Sequence, residues 1–138
     1  MKKKLGEDKI HIFRRSWDNP PEPLNKKNPY HPINIEIYKN IPKEKIPDTE
    51  SLKNTYDRVI PYFKKNIKLK IKENVIISAH GNSIRSLCKF LFEISNEDIS
   101  KLEIPTGNPL IIKFDENNKL ISAKYLDKER AKDLIKFN

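Results

Sequence analysis

The 138-residue sequence holds one cysteine, one tryptophan, three glycines and three histidines, and nowhere do 18 apolar residues run together. Each scarcity excludes something. A lone Cys88 rules out an intrachain disulfide, and its setting among Leu87, Phe90 and Leu91 reads as a small buried hydrophobe in a reducing compartment. Three scattered histidines and a single cysteine lack ligand spacing, so no metal is expected. Met1-Lys2-Lys3-Lys4-Leu5-Gly6-Glu7 carries charge without the apolar core of a signal peptide, and with no long apolar run no membrane partner is expected and a cytoplasmic location is. Arginine is scarce too, with five among the 28 basic residues. The net charge of +9 and pI near 9.5 raise nucleic acid as a partner, but arginine is the preferred fork for bases and phosphates, and nucleic-acid binding ranks last among the readings below. Apolar residues make 36% and mean hydropathy is −0.75. That is thin for a self-sufficient core at this length and predicts one incomplete domain, residues 1–138, sharing its core with something else.

What is present falls into readable segments. Leu5, Ile10 and Phe13 among charges predict a helix over 2–13, although Gly6 argues against it, with Arg14 and Arg15 at its C-terminal end. Between Asp18 and Pro47 stand Pro20, Pro21, Pro23, Pro29, Pro32, Pro42 and Pro47, which predicts a long ordered loop, a lid or site wall. Asp48-Thr49-Glu50-Ser51 offers an N-cap, and Leu52, Tyr56, Val59, Ile60, Phe63 and Ile67 follow at helical spacing, with Pro61 predicting a kink. Val75 to Ala79 reads as a buried strand. It runs into a His80-Gly81-Asn82 turn and a helix carrying Ile84, Leu87, Cys88, Leu91 and Phe92, half of a βαβ unit. Ser95 to Asp98 has capping-box character. Pro109–Phe114 and Leu120–Leu126 around Asp115-Glu116-Asn117-Asn118 predict a hairpin, and 127–137 a charged closing helix.

The chemistry gathers at the turn after Val75-Ile76-Ile77. A strand, a glycine turn and a helix N-terminus present backbone N–H groups and a partial positive charge, an arrangement that receives phosphate. His80 adds a titratable donor able to stabilise charge on a transferring phosphoryl group, and the Asn82 amide can donate to an anionic oxygen. Arg14 and Arg15 can fork onto an anion. Each motif alone reads as ordinary structure, a helix cap or a solvated face.

In this order they do not stand alone. Phe13-Arg14-Arg15-Ser16-Trp17-Asp18, Pro20-Pro21, Glu50-Ser51-Leu52-Lys53, the run from Val75 through His80-Gly81-Asn82-Ser83 to Arg85, and Ile104-Pro105-Thr106-Gly107-Asn108-Pro109 together resemble the 2,3-bisphosphoglycerate-dependent phosphoglycerate mutases of the histidine phosphatase superfamily. The resemblance implies an α/β three-layer fold and interconversion of 3-phosphoglycerate and 2-phosphoglycerate through a phosphohistidine, with 2,3-bisphosphoglycerate as cofactor and no metal. It makes His80 the second active-site histidine, Arg14 and Arg15 the substrate-binding pair, and Gly81 with Asn82 the phosphate-contacting turn. The Ile104–Pro109 block is assigned a structural role.

The departure from the family pattern lies at the other end. The strand carrying Arg-His-Gly with the nucleophilic histidine, and the general-acid glutamate, have no counterpart in this sequence. His11 on a helix and His31 in a proline-rich loop do not replace the nucleophile. The fold expectation is therefore the C-terminal part of the three-layer fold without its N-terminal central strand, leaving Val75–Ala79 without a neighbour and the chain marginal by itself. Three readings follow in order: a mutase fragment that is inactive unless complemented by an N-terminal fragment, a non-enzymatic module binding a phosphorylated metabolite, and a basic nucleic-acid binder.

Overall fold

The computed structural model describes residues 6–131. The first helix, α1, spans Glu7–Arg15. Gly6 precedes it at φ 77°, a left-handed conformation that suits glycine, so the residue that argued against the helix is the one that starts it. Both arginines occupy its last turn, where cations suit the negative end of the dipole.

Asp18 then fastens the chain to the start of the second helix, α2, Leu52–Tyr62. Ser51 Oγ accepts from the Asn54 N–H at 3.2 Å while Asn54 Oδ1 accepts from the Ser51 N–H at 3.0 Å, a reciprocal cap. Ser51 Oγ and Lys53 Nζ each donate to the Asp18 carboxylate at 3.2 Å. The Lys53 N–H donates to the Trp17 carbonyl at 2.9 Å. Between these anchors the proline-rich segment has only three short 3₁₀ turns, Pro32–Asn34, Glu36–Tyr38 and Lys43–Lys45. It is pinned from inside by His31, which is fully buried, with Nε2 3.1 Å from Asp48 Oδ1 and Nδ1 accepting from the Ile33 N–H.

Pro61 lies inside α2. It has no N–H for the carbonyl four residues back, and just beyond it the ladder widens into a π turn, Phe63–Ile67, followed by a 3₁₀ turn, Lys68–Lys70. Such bulges are one way a helix absorbs a missing hydrogen bond. The third helix, α3, is Gly81–Leu91, and α2 packs along it. The core has two centres. Leu52, Cys88, Ile99 and Leu102 form one, flanked by Trp17, Ile84 and Leu110; Ile60, Phe63 and Leu87 form the other. The apolar spacing of α2 thus faces inward as read.

The hairpin is β1, Leu110–Phe114, against β2, Leu120–Tyr125, antiparallel with an irregularity at Lys113/Phe114. Asp115 Oδ1 accepts from the Asn117 and Lys119 N–H groups in its turn. The Ile104–Pro109 block is structural in its contacts: Asn108 exchanges two 2.9 Å hydrogen bonds with the Asp127 backbone, and Gly107 sits at φ 71°. Of the closing helix expected over 127–137, the described part is a 3₁₀ turn, Glu129–Ala131, and residues 132–138 lie outside the described residues.

Val75–Ala79 departs from the expected buried strand. No hydrogen bond joins the backbone of 74–79 to any other described residue, and Val75, Ile76 and Ile77 are 42%, 95% and 40% exposed. The β-rich sequence has no regular secondary structure up to His80, because a ladder needs a neighbouring strand and the sheet among the described residues contains only β1 and β2.

Candidate functional site

His80 sits at the N-cap of α3 with φ −60° and ψ 146°, and its Nδ1 accepts from the Asn82 N–H at 3.4 Å. That contact makes Nδ1 the acceptor and leaves Nε2 as the ring's donor, on an exposed side chain. The His80 carbonyl already takes the Ser83 and Ile84 N–H groups. The Gly81 N–H is left to point out of the first turn with the helix dipole behind it. A Cβ at Gly81 would meet nothing within 4 Å, so the described residues do not demand glycine there by crowding. A bare Gly81 keeps the approach to its own N–H open.

Asn82 Oδ1 accepts from Arg85 Nη1 at 3.4 Å, which turns the Nδ2 end of the amide to donate elsewhere. Arg85 is 4% exposed, and the same guanidinium donates to the Arg14 carbonyl at 3.1 Å, the Arg15 carbonyl at 3.2 Å and the Ile99 carbonyl at 2.6 Å. Burial depresses the affinity of Arg85 for its proton, Arg15 adds repulsion, and Glu103 opposes both. The carbonyls at the C-terminal end of α1 stand in for a carboxylate partner. One buried arginine therefore joins the turn at Asn82 to the end of the helix that carries Arg14 and Arg15. The sequence showed Arg85 beside the motif without a role; its only signal was a charge embedded in the inward-facing run Arg85, Ser86, Leu87, Cys88.

The two arginines part company. Arg14 is exposed and its side chain enters no hydrogen bond or ion pair among the described residues. Arg15 pairs with Glu103 and donates to the Leu102 carbonyl at 3.4 Å, its side chain 27% exposed. Arg14 is the arginine left open to solvent, while Arg15 is engaged by Glu103. The other histidines are elsewhere: His31 is the buried pin of the proline-rich loop, and His11 lies on α1. Cys88 is 1% exposed, and burial pushes its thiol up to about 12, which leaves it protonated and unreactive. No cluster of three metal-ligating side chains occurs among the described residues. A groove of about 150 Å³ lined by Phe63, Phe90, Phe114 and Leu120 among others shares no residue with the His80 turn.

Comparison with known proteins bears on the same residues. A family model described as the histidine phosphatase superfamily (branch 1) matches residues 20–126, a span that includes His80, Gly81, Asn82 and Arg85 and starts just after Arg14 and Arg15. A 2,3-bisphosphoglycerate-dependent phosphoglycerate mutase of Pelagibacter ubique (strain HTCC1062) is 63% identical over 139 residues, covering 99% of this chain and 58% of the relative. Proteins of the same description from Maricaulis maris (strain MCS10) and Hydrogenobaculum sp. (strain Y04AAS1) are 47% and 42% identical, covering 95% and 98% of this chain and 55% and 56% of their own lengths. The chain spans a little over half the length of the curated relatives it matches.

Proposed function

Because this chain belongs to the histidine phosphatase superfamily, branch 1, we propose that it is the substrate-side part of a 2,3-bisphosphoglycerate-dependent phosphoglycerate mutase, an isomerase interconverting 3-phosphoglycerate and 2-phosphoglycerate in glycolysis and gluconeogenesis. The observation that carries this is the His80 turn. There an imidazole with Nε2 as donor, an uncovered Gly81 N–H and an oriented Asn82 amide stand at the positive end of α3. Arg85 ties them to the helix end bearing Arg14. That donor set suits a phosphate or carboxylate, and so fits 2,3-bisphosphoglycerate, whose anionic groups His80, Gly81, Asn82 and Arg14 would hold. When bound, that cofactor supplies the phosphoryl group with which the family's reaction begins. His80 acts by donating to phosphoryl oxygens as negative charge spreads over them, while Arg14, joined by Arg15 once released from Glu103, orients the substrate carboxylate or phosphate.

The histidine that receives the phosphoryl group and the general-acid glutamate are supplied, in this reading, by a segment outside these 138 residues, N-terminal in the family's order. It docks along residues 74–79. Support comes from the three exposed apolar side chains and the unpaired backbone there, and from His31 being held on Asp48. Residues 1–138 then form one domain portion that is inactive by itself. Mixing the chain with the unmatched portion of the Pelagibacter ubique relative should generate mutase activity that neither component has. Activity from the chain alone, or none from a folded and bound mixture, overturns the reading.

A second reading, a non-enzymatic module for a phosphorylated metabolite, is favoured by the donor set standing ready without a nucleophile; millimolar 3-phosphoglycerate would then bind with no partner segment adding activity. Nucleic acid is the least supported. Arg85 is buried, Arg15 and Arg58 are paired with Glu103 and Glu50, and Arg130 is spent on the Thr106 and Gly107 carbonyls, which leaves Arg14 as the one unengaged fork among the described residues. The single cysteine, which can form no intrachain disulfide, is in keeping with a reducing compartment, and we propose the cytoplasm.

A further inference from the structure

We propose that Arg85 is the positioning residue of this site, setting the end of α1 that carries Arg14 and Arg15 against the His80-Gly81-Asn82 turn. The inference rests on the reading of Arg14, Arg15 and Asn82 as the substrate side and adds a residue to it.

Arg14 and His80 lie far apart in the chain and on different helices, so something must fix one against the other. One hydrogen bond of Arg85 ends on the Arg14 carbonyl and two more on near neighbours of that pair, the Arg15 carbonyl and Asn82 Oδ1, two residues on from His80. The fourth, to Ile99, anchors the fork to the turn Asp98–Lys101, the element against which α1 also packs. A nine-residue helix is too short to hold itself, and its last turn is where it frays. Carbonyls left over at that end are what the guanidinium covers.

The arrangement is costly as mere packing. No carboxylate hydrogen-bonds to this buried charge, and its Nε has no partner among the described residues. A buried polar group left without a hydrogen bond is destabilising, and an apolar side chain in the inward-facing run of α3 would avoid that cost. What an apolar side chain cannot do is donate to two successive carbonyls and an amide oxygen at once, which is the property of the arginine fork. The same fork fixes which end of the Asn82 amide is presented: with Oδ1 on Arg85, Nδ2 faces a ligand.

The test uses Arg85→Met, which keeps the stem and removes the donors, and Arg85→Lys, which restores a charge and some donors. Amide hydrogen exchange in the 138-residue chain reads the positioning directly. The Ser16 N–H, bonded to the Ile12 carbonyl at 2.9 Å, reports the end of α1, and the Phe92 N–H, bonded to the Cys88 carbonyl at 2.9 Å, reports α3. In Arg85→Met, Ser16 should exchange about tenfold faster or more while Phe92 changes by less than about threefold, with Arg85→Lys in between. The dissociation constant for 3-phosphoglycerate should rise about tenfold in Arg85→Met and recover in part in Arg85→Lys. Equal acceleration at Ser16 and Phe92 would make Arg85 a general core residue and overturn the proposal, as would protection unchanged at both. Loosened α1 with unchanged 3-phosphoglycerate affinity overturns it as well. Wild-type chain that binds no 3-phosphoglycerate sinks the substrate reading instead, and the exchange pattern still decides whether Arg85 sets α1.

Discussion

Ile76→Lys separates the stability of the chain from its ability to be completed. Ile76 is 95% exposed and its backbone makes no hydrogen bond to other described residues, so the substitution should change the melting temperature of the chain alone by no more than a surface change does, within about 0.5 kcal/mol. If residues 74–79 become an interior strand covered on both faces, as parallel strands are, the same side chain is buried on docking. Burying an isoleucine contributes roughly 1.5–3 kcal/mol, and placing an ammonium there adds a desolvation cost. A combined loss of at least about 3 kcal/mol is then expected, which weakens docking roughly 100-fold or more. The assay titrates the partner segment from the relative into each variant and follows mutase activity. Leu69→Lys serves as the control, because Leu69 is also exposed, at 78%, but lies in the turn after α2. Complementation by Ile76→Lys at the wild-type half-saturating concentration would refute the reasoning, and so would a chain that Ile76→Lys unfolds.

Other substitutions probe the frame around the site. Ser51→Ala removes both the α2 cap and the bond to Asp18; a loss of about 1 kcal/mol is expected, read as a melting temperature lower by roughly 3–5 °C. The Arg58 hydrogen bonds, at 2.6 and 3.0 Å, hold the Glu50 carboxyl below its ordinary value of 4.5. A depressed carboxyl stabilises the fold above that ordinary value and loses the contribution as pH falls through the lower folded one. Glu50→Gln should therefore cost up to about 1 kcal/mol near neutrality, and the difference from wild type should vanish in acid denaturation series below that window. The Cys88 thiol, raised to about 12 by burial, should resist alkylation at pH 8 in the folded chain and react at once in denaturant; prompt labelling of folded protein would contradict its burial.

How far the sequence reached follows from which contacts are local. Leu52, Ile60 and Phe63 announce the inward face of α2 by spacing alone, and Asp48-Thr49-Glu50-Ser51 announces its start, with Ser51 the residue that caps it, because both are settled within one or two turns of chain. The hairpin was legible for the same reason: Asp115 closes its turn on residues two and four ahead. Val75–Ala79 has strand composition, yet pairing is a property of a neighbour, and composition cannot supply one. The arginine pair shows the same limit at the site. As sequence, Arg14 and Arg15 are alike; in the fold Arg15 meets Glu103, 88 positions away, and only Arg14 remains open. Arg85 carries no such local signal: a charge on a helix ordinarily reads as a solvated face, and only the convergence of α1, α3 and the Asp98–Lys101 turn makes its burial tolerable. His31, legible in the sequence only as a member of the proline-rich loop, fastens that loop through Asp48, a contact 17 residues away.

Titrating 3-phosphoglycerate into ¹⁵N-labelled chain and recording its amide spectrum interrogates the anion cradle residue by residue. The account predicts saturable shifts centred on the Gly81 N–H and the Asn82 side-chain amide, with the lysine-rich turn at 68–70 unmoved. Shifts confined to lysine-bearing surfaces, with Gly81 and Asn82 silent, would contradict it.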